Sequence, residues 1–147
     1  MRATWLESGA PVEAEDLTAA GLHYAQLPID PEAYQAPLDA LSADRGYITQ
    51  DVVELTPETP NLDTICAMYD KEHHHSDDEA RFVIGGEGIF DVRSADDRWM
   101  RIEVVAGDLL VVPHGCHHRF LLNEKRTIRC VRLFVDPAGW AANYRNG

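Results

Sequence analysis

Residues 71–82 read KEHHHSDDEARF and residues 107–120 read GDLLVVPHGCHHRF, and these two histidine-rich stretches carry most of the information in the sequence. Four polar residues of the first stretch share one parity: His73, His75, Glu79 and Arg81. Alternate side chains of an extended strand face the same way. We therefore predict that these four side chains project together, with His74 on the opposite face.

The second stretch supplies a further imidazole, because His118 shares a parity with Phe120 while His117 falls on the other face. Three imidazoles and one carboxylate suit a six-coordinate ion such as iron(II), nickel(II), cobalt(II) or manganese(II). Four protein ligands leave two adjacent positions for a chelating substrate, whereas a structural zinc site would favour cysteines and close its coordination sphere. A lone His-x-His pair most often marks polar surface, so the prediction depends on the two stretches occurring together.

Beyond residue 79 the pattern is that of an all-β protein. Five short apolar or alternating runs follow one another: EARFVIG, GIFDVRS, WMRIEVVAG, DLLVVP and TIRCVRLFV. Turn-forming segments separate these runs, which predicts an antiparallel sandwich or barrel. We expect four glycines at chain reversals: Gly86, Gly88, Gly107 and Gly115. Three phenylalanines are expected in the core: Phe82, Phe90 and Phe134.

Helices are predicted mainly before the barrel. Residues 16–21, DLTAAG, suggest a short helix with an Asp cap, and a second helix is expected within residues 30–43, interrupted by Pro37. Residues 48–55 have the pattern of a strand, and Asn61 is placed to cap a helix over residues 62–71. We expect a single domain over residues 1–147, with three parts: 1–45 as helical and loop decoration, 46–135 as the β-barrel, and 136–147 as a C-terminal tail.

Composition excludes several classes of protein. The chain has 147 residues, 45% of them hydrophobic, and a formal net charge of −12. Because so acidic a protein repels nucleic acid and anionic membranes, we expect neither as a partner. No apolar run is long enough to span a bilayer, and the first residues lack the apolar region of a signal peptide. We expect a cytoplasmic monomer whose cysteines are reduced: Cys66, Cys116 and Cys130.

The spacing of the two stretches matches the two motifs of the cupin superfamily. The first runs as His-x-His-x-x-x-Glu from His73 and continues after six residues to Gly86. The second runs from Gly107 through a Pro-x-Gly to His118, and its final Asn falls one place late, at Asn123. Over residues 45–144 the chain resembles the acireductone dioxygenases, the cupins of methionine salvage. DVVELTPETPNLD and RLFVDPAGWAANY resemble the beginning and the end of that family's shared region.

The resemblance implies an all-β cupin barrel (a double-stranded β-helix, jelly-roll-like) with helical additions. It implies one iron(II) or nickel(II) ion per chain, held by the four residues at the family's ligand positions: His73, His75, Glu79 and His118. It further implies that Arg81 contacts the oxygens of the substrate. The pocket residues would be Tyr69, Phe120 and Trp140, with Arg132 as a lesser candidate.

The activity implied by the resemblance is cleavage of 1,2-dihydroxy-3-keto-5-methylthiopentene by dioxygen. The iron form gives formate and 4-methylthio-2-oxobutanoate, and the nickel form gives formate, carbon monoxide and methylthiopropanoate. Nothing in the sequence distinguishes the two metals. Two alternatives stay open: another metal-dependent cupin dioxygenase or isomerase acting on a different enediol or diketone, and a non-catalytic cupin that binds a metal or a ligand.

The chain departs from the family pattern around its second histidine stretch, where His117 stands beside His118 and leaves open which of the two binds a metal. The spacing from the preceding Pro-x-Gly and the following Arg119-Phe120 both favour His118. Residues 1–45 match the family only loosely.

Overall fold

Ten strands and three helices make up the regular structure of residues 1–74, 78–135 and 143–144, the part of the chain that the computed structural model describes. The helices are α1 (Ala14–Ala19), α2 (Pro31–Arg45) and α3 (Leu62–Tyr69). The strands are β1 (Arg2–Trp5), β2 (His23–Gln26), β3 (Thr49–Leu55), β4 (His73–His74), β5 (Glu79–Arg93), β6 (Trp99–Val105), β7 (Asp108–Val112), β8 (His118–Leu121), β9 (Ile128–Phe134) and β10 (Asn143–Tyr144).

All strand pairs are antiparallel, and β5 links two groups of them. Its first half pairs with β7 and β9, in a group ordered β2-β7-β5-β9-β3. Its second half pairs with β6 and β8, in a group ordered β1-β6-β5-β8-β4-β10. A strand of 15 residues that serves both groups curls the sheet around an apolar interior.

A bulge within β5 changes which residues face that interior. The register against β9 shifts between Val83 and Gly85. Before the shift the odd-numbered Glu79 and Arg81 line the interior cavity, and after it the even-numbered Phe90 does so. An extra residue in a strand reverses the facing of every side chain beyond it. The bulge therefore lets one strand present polar groups at one end of the cavity and an apolar wall at the other.

Two of the glycines that we expected at chain reversals lie inside β5 instead. Gly86 has a φ of +70°, and a Cβ there would collide with the backbone carbonyl of Thr127. A Cβ on Gly88 would lie 2.7 Å from the ring of Phe120. Glycine within a strand permits close approach by a neighbouring chain as well as a turn. A segment that contains Gly86 and Gly88 therefore has the composition of a turn even though it lies inside β5.

The N-terminal 45 residues contain the expected helices and also two strands that we did not predict, β1 and β2, which pair with β6 and β7. Helix α1 begins earlier than expected because Asp16 acts from within its first turn, accepting the Glu13 N–H at 3.2 Å. Helix α2 continues through Pro37, which is exposed, while Tyr34 and Leu38 anchor the opposite side in the core. Packing of that buried side outweighs the backbone hydrogen bond that proline removes.

The apolar interior forms two clusters, one inside the curl of the sheet and one between the sheet and α2. Phe82 and Leu38 are fully buried in the second cluster. Within the described ranges, every helix is too short or too polar to cross a membrane. The three cysteines are free thiols.

Candidate metal centre

Three of the predicted ligands converge where the two strand groups meet. His73 lies on β4, Glu79 begins β5 and His118 begins β8, and each offers a ligand atom within 4.8 Å of the other two. His73 and His118 are direct cross-strand partners, and their ring centroids are 4.5 Å apart. His75, the fourth predicted ligand, lies outside the described residues.

Backbone carbonyls orient both imidazole rings. The Nδ1 atom of His73 lies 2.7 Å from the carbonyl oxygen of Lys71, and that of His118 lies 2.9 Å from the carbonyl oxygen of Cys116. A carbonyl oxygen only accepts, so each Nδ1 carries the proton and donates it. A neutral ring held in this way keeps its lone pair on Nε2, the arrangement that metal-binding histidines commonly use.

Glu79 makes this point of the protein favourable for positive charge. Its carboxylate contacts His118 Nε2, and its side chain is only 11% exposed. Burial by itself lowers the pKa of His118, but the charge and hydrogen bond of Glu79 outweigh burial and raise that pKa. A divalent cation would meet the same carboxylate, and protons would compete with it for Nε2 of His118.

A tight turn delivers His118 to the site. The turn follows Pro113, is closed by the Cys116 N–H donating to the Pro113 carbonyl at 3.2 Å, and uses a positive φ of 76° at Gly115. Asp78 fastens this turn to the start of β5 by accepting the backbone N–H of His114 at 3.1 Å. Asp78 also accepts the Tyr47 hydroxyl at 2.9 Å, so the residue beside Glu79 is held from two directions.

The three converging side chains lie at the polar end of a cavity of about 160 Å³. Among them, His73 and Glu79 line the cavity directly, together with Arg81. Arg81 donates from Nη2 to Glu79 at 2.9 Å and from Nη1 to the Ala80 carbonyl at 3.0 Å. Its side chain is 12% exposed, so the cavity contains a nearly buried guanidinium beside the candidate ligands.

Three of the four predicted pocket residues line this same cavity: Tyr69, Phe120 and Arg132. Tyr69 and Phe120 meet edge to face with centroids 6.2 Å apart. Arg132 forms an ion pair with Asp51 at 2.6 Å on the neighbouring strand. Trp140, the fourth, lies outside the described residues.

The sequence interpretation missed most of the apolar wall. The residues concerned are Val53, Leu55, Met68, Val83, Ile128 and Cys130, and Phe90, expected only in the core, also faces the cavity. Parity along β3 and β9 gives a signal, since Val53 and Leu55 alternate with exposed residues. Burial raises the pKa of the Cys116 thiol to about 11, which disfavours the thiolate form that a nucleophile needs.

Comparison with known proteins identifies the family. The model of the ARD/ARD' family matches residues 6–142. The chain belongs to this family. ARD-family relatives include an acireductone dioxygenase from Heterostelium pallidum, 41% identical over 140 residues that cover 95% of this chain and 94% of the relative. Another, from Sulfurihydrogenibium sp., is 51% identical over 113 residues, which cover 77% of this chain and 63% of the relative's length.

A solved structure extends the comparison to three dimensions. The acireductone dioxygenase from Bacillus anthracis, whose structure has a cadmium ion in its active center, matches with a TM-score of 0.89 and 31% identity over 97% of both chains. The predicted fold, an all-β cupin barrel with helical additions, is confirmed for this ARD-family chain.

Proposed function

We propose that this protein is a metal-dependent acireductone dioxygenase that holds one iron(II) or nickel(II) ion through four residues: His73, His75, Glu79 and His118. The convergence of three of these side chains on one point carries the proposal. Membership of a family whose curated relatives are named acireductone dioxygenase supports the same reading.

The chemistry of the donors fits such an ion. Imidazole nitrogen and carboxylate oxygen suit iron(II) and nickel(II), and no thiolate belongs to the converging group among the described residues. When bound, the metal would act as a Lewis acid that coordinates the oxygens of an enediol and promotes its reaction with dioxygen. The carbonyl-anchored rings support this ligand set, because they need no rearrangement to offer Nε2.

The cavity fits a substrate with one polar and one apolar end. An acireductone such as 1,2-dihydroxy-3-keto-5-methylthiopentene has oxygens on neighbouring carbons and a methylthio tail. The oxygens would lie toward Glu79 and Arg81, and the tail would pack on an apolar wall that includes Val53, Met68 and Phe120. Burial of a thioether on such a wall contributes binding that does not depend on the metal.

Arg81 has the charge and position to bind the substrate as an anion. An enediol that has lost a proton carries its charge on the oxygens, and a guanidinium stabilises that charge strongly in a nearly buried cavity. The contact of Arg81 with Glu79 holds the guanidinium at the polar end, so it is oriented before the substrate arrives.

The identity of the metal would decide the products. With iron we expect formate and 4-methylthio-2-oxobutanoate, and with nickel formate, carbon monoxide and methylthiopropanoate. The described donors accept either ion, so the products would depend on which metal the protein acquires. A monomeric state and a cytoplasmic location stay predictions.

Oxygen uptake with freshly generated acireductone tests the proposal. Protein stripped of metal and reloaded with iron(II) or nickel(II) should consume dioxygen and give the two product sets above. Carbon monoxide from the nickel form is the most distinctive product. Protein that binds either metal but consumes no dioxygen would overturn the proposed activity, and would favour a non-catalytic cupin or one with a different substrate.

A further inference from the structure

Each of the two converging histidines has a charged sequence neighbour that forms an ion pair outside the cavity. Glu72 precedes His73, and Arg119 follows His118. Arg119 belongs to β8, where consecutive residues point to opposite faces, and Glu72 directly precedes β4. A contact that holds either neighbour therefore limits where the adjacent histidine can point. The contacts of these two neighbours are therefore relevant to the geometry of the metal centre.

Glu72 is bound by a fork of hydrogen bonds from Arg93, at the end of β5. The Nε and Nη2 atoms of Arg93 lie 3.0 and 3.1 Å from the two carboxylate oxygens. Two parallel charge-assisted bonds fix both distance and orientation. The Arg93 backbone N–H also donates to the carbonyl of His117 at 3.0 Å, so one residue contacts the neighbours of both histidines.

Arg119 is bound by Asp91, which lies directly opposite it on β5. The Nε atom of Arg119 lies 2.9 Å from Oδ2 of Asp91, whose side chain is fully buried. Arg101, directly opposite Asp91 on β6, donates to the same carboxylate twice at 2.9 Å. A buried carboxylate with this many donors is held firmly in place, and it holds β8 against β5.

Trp99 joins the two ion pairs. Its ring contacts both guanidinium groups: the centroid is 4.0 Å from the guanidinium carbon of Arg93 and 4.6 Å from that of Arg119. Cation–π contacts of this kind are attractive, so they hold both guanidinium groups against the ring. Glu72, Arg93, Trp99, Arg119 and Asp91 thus form a continuous chain of contacts, which we call the outer network.

We propose that the outer network positions His73 and His118 for metal binding, with Arg93 and Arg119 as its positioning residues. Neither arginine lines the cavity. Their effect would be to keep β4 and β8 at the separation at which one ion reaches both imidazoles. The proposal rests on the metal site of the proposed function, but it does not depend on the reaction that the site performs.

Cobalt(II) affinity measures this effect without reference to activity. Metal-free protein is titrated with cobalt(II) in competition with a chromophoric chelator, and the visible spectrum of the bound ion is recorded. Arg93→Met and Arg119→Met should each weaken binding by about 10- to 100-fold, the usual effect of losing a contact that orients a metal ligand. Both should also shift the cobalt spectrum, which a general loss of stability would leave unchanged in the folded fraction.

Two control variants remove arginines that contact neither a ligand's neighbour nor Asp91. Arg98 stacks on Trp5 at 4.2 Å, and Arg2 on β1 pairs with Glu103 at 3.8 Å. Arg98→Met and Arg2→Met should change cobalt affinity by less than about threefold, since they leave both ligand neighbours and Asp91 bound. Circular dichroism at the titration temperature establishes that each variant is folded.

Arg93→Lys gives a milder test if Arg93→Met does not fold, because it keeps the charge and loses the fork. It should weaken cobalt binding by about tenfold, between the original protein and Arg93→Met. Unchanged affinity in the Arg93 and Arg119 variants would overturn the inference, as would an equal loss in the two controls. Failure of the original protein to bind cobalt(II) at all would instead overturn the proposed function.

Discussion

Arg81 and Arg132 lie directly opposite each other on β5 and β9, and both guanidinium groups approach the ring of Phe134. The distances from guanidinium carbon to ring centroid are 5.5 Å for Arg81 and 5.1 Å for Arg132. Each arginine has a carboxylate partner of its own, Glu79 for the first and Asp51 for the second. The cavity of this acidic protein is therefore lined by two guanidinium groups, each held in place by a carboxylate.

The two arginines should contribute unequally to activity. Arg81→Met should lower kcat/KM by about 100-fold or more, because it removes a nearly buried charge at the polar end of the cavity. Arg132→Met should lower it by about tenfold, mainly through KM, because Asp51 already neutralises that guanidinium nearer to solvent. Steady-state oxygen uptake gives both values. Equal losses in the two variants would contradict the assignment of the polar end to Arg81.

Gly88 should be required for the shape of the apolar wall. Gly88→Ala would place a methyl group 2.7 Å from the Phe120 ring, which packs on Phe90 with centroids 4.9 Å apart. Overpacking of this kind destabilises by about 1–3 kcal/mol. Urea unfolding of the metal-free protein measures the change. Gly85→Ala is the matched control, because its methyl group would meet Arg129 at an ordinary 3.6 Å; equal effects would show that the Phe120 contact is unimportant.

Asp108 should stabilise the fold in a pH-dependent way. Burial by itself raises the pKa of Asp108, but the Val105 N–H at 2.9 Å and the Tyr24 hydroxyl at 3.0 Å contribute to a net lowering from 3.8. A depressed pKa means that the carboxylate stabilises the protein above the unfolded-state pKa of about 3.9, and that this stability is lost as the pH falls through the lower native pKa.

Asp108→Asn should therefore be less stable than the original protein at pH 7, and the difference should shrink as the pH falls below about 4. Urea unfolding between pH 7 and pH 3 gives the two curves. For Asp44→Asn, which changes an exposed carboxylate on α2, the curve of unfolding free energy against pH should run parallel to that of the original protein. A difference between Asp108→Asn and the original that stays constant with pH would mean that the effect of the variant is not electrostatic.

The sequence predicts the elements of this fold better than their continuity. Strand β3 and helix α3 end within two residues of expectation, because alternation and helical periodicity are local signals. The predicted cap is wrong in its detail: Asn61 stands at the N-cap position of α3, but its side chain makes no capping hydrogen bond. Strands β1 and β2 were missed because each has only four residues and gains its stability from pairing with a distant strand. The sequence predicts two strands where the structure has the single long β5, because a bulge with nearby glycines has the composition of a turn.

In the candidate site, too, the sequence predicts local relationships better than contacts between distant strands. Parity correctly grouped Glu79 with Arg81, because both precede the bulge, and His118 with Phe120. Contacts between distant strands left no comparable signal. The spacing of Glu72, Arg93 and Arg119 does not predict that they form one network, because their proximity depends on the register between β5 and β8.

Metal content after dialysis tests most directly whether His73, Glu79 and His118 share one ion. Protein loaded with nickel(II) or iron(II) should keep about one ion per chain, and His117→Ala should keep the same amount because the group of converging ligand atoms consists of His73, Glu79 and His118 among the described residues. Glu79→Ala and His118→Ala should each lose nearly all of the metal while remaining folded. Full metal content in either of those two variants would contradict the ligand set on which the account depends.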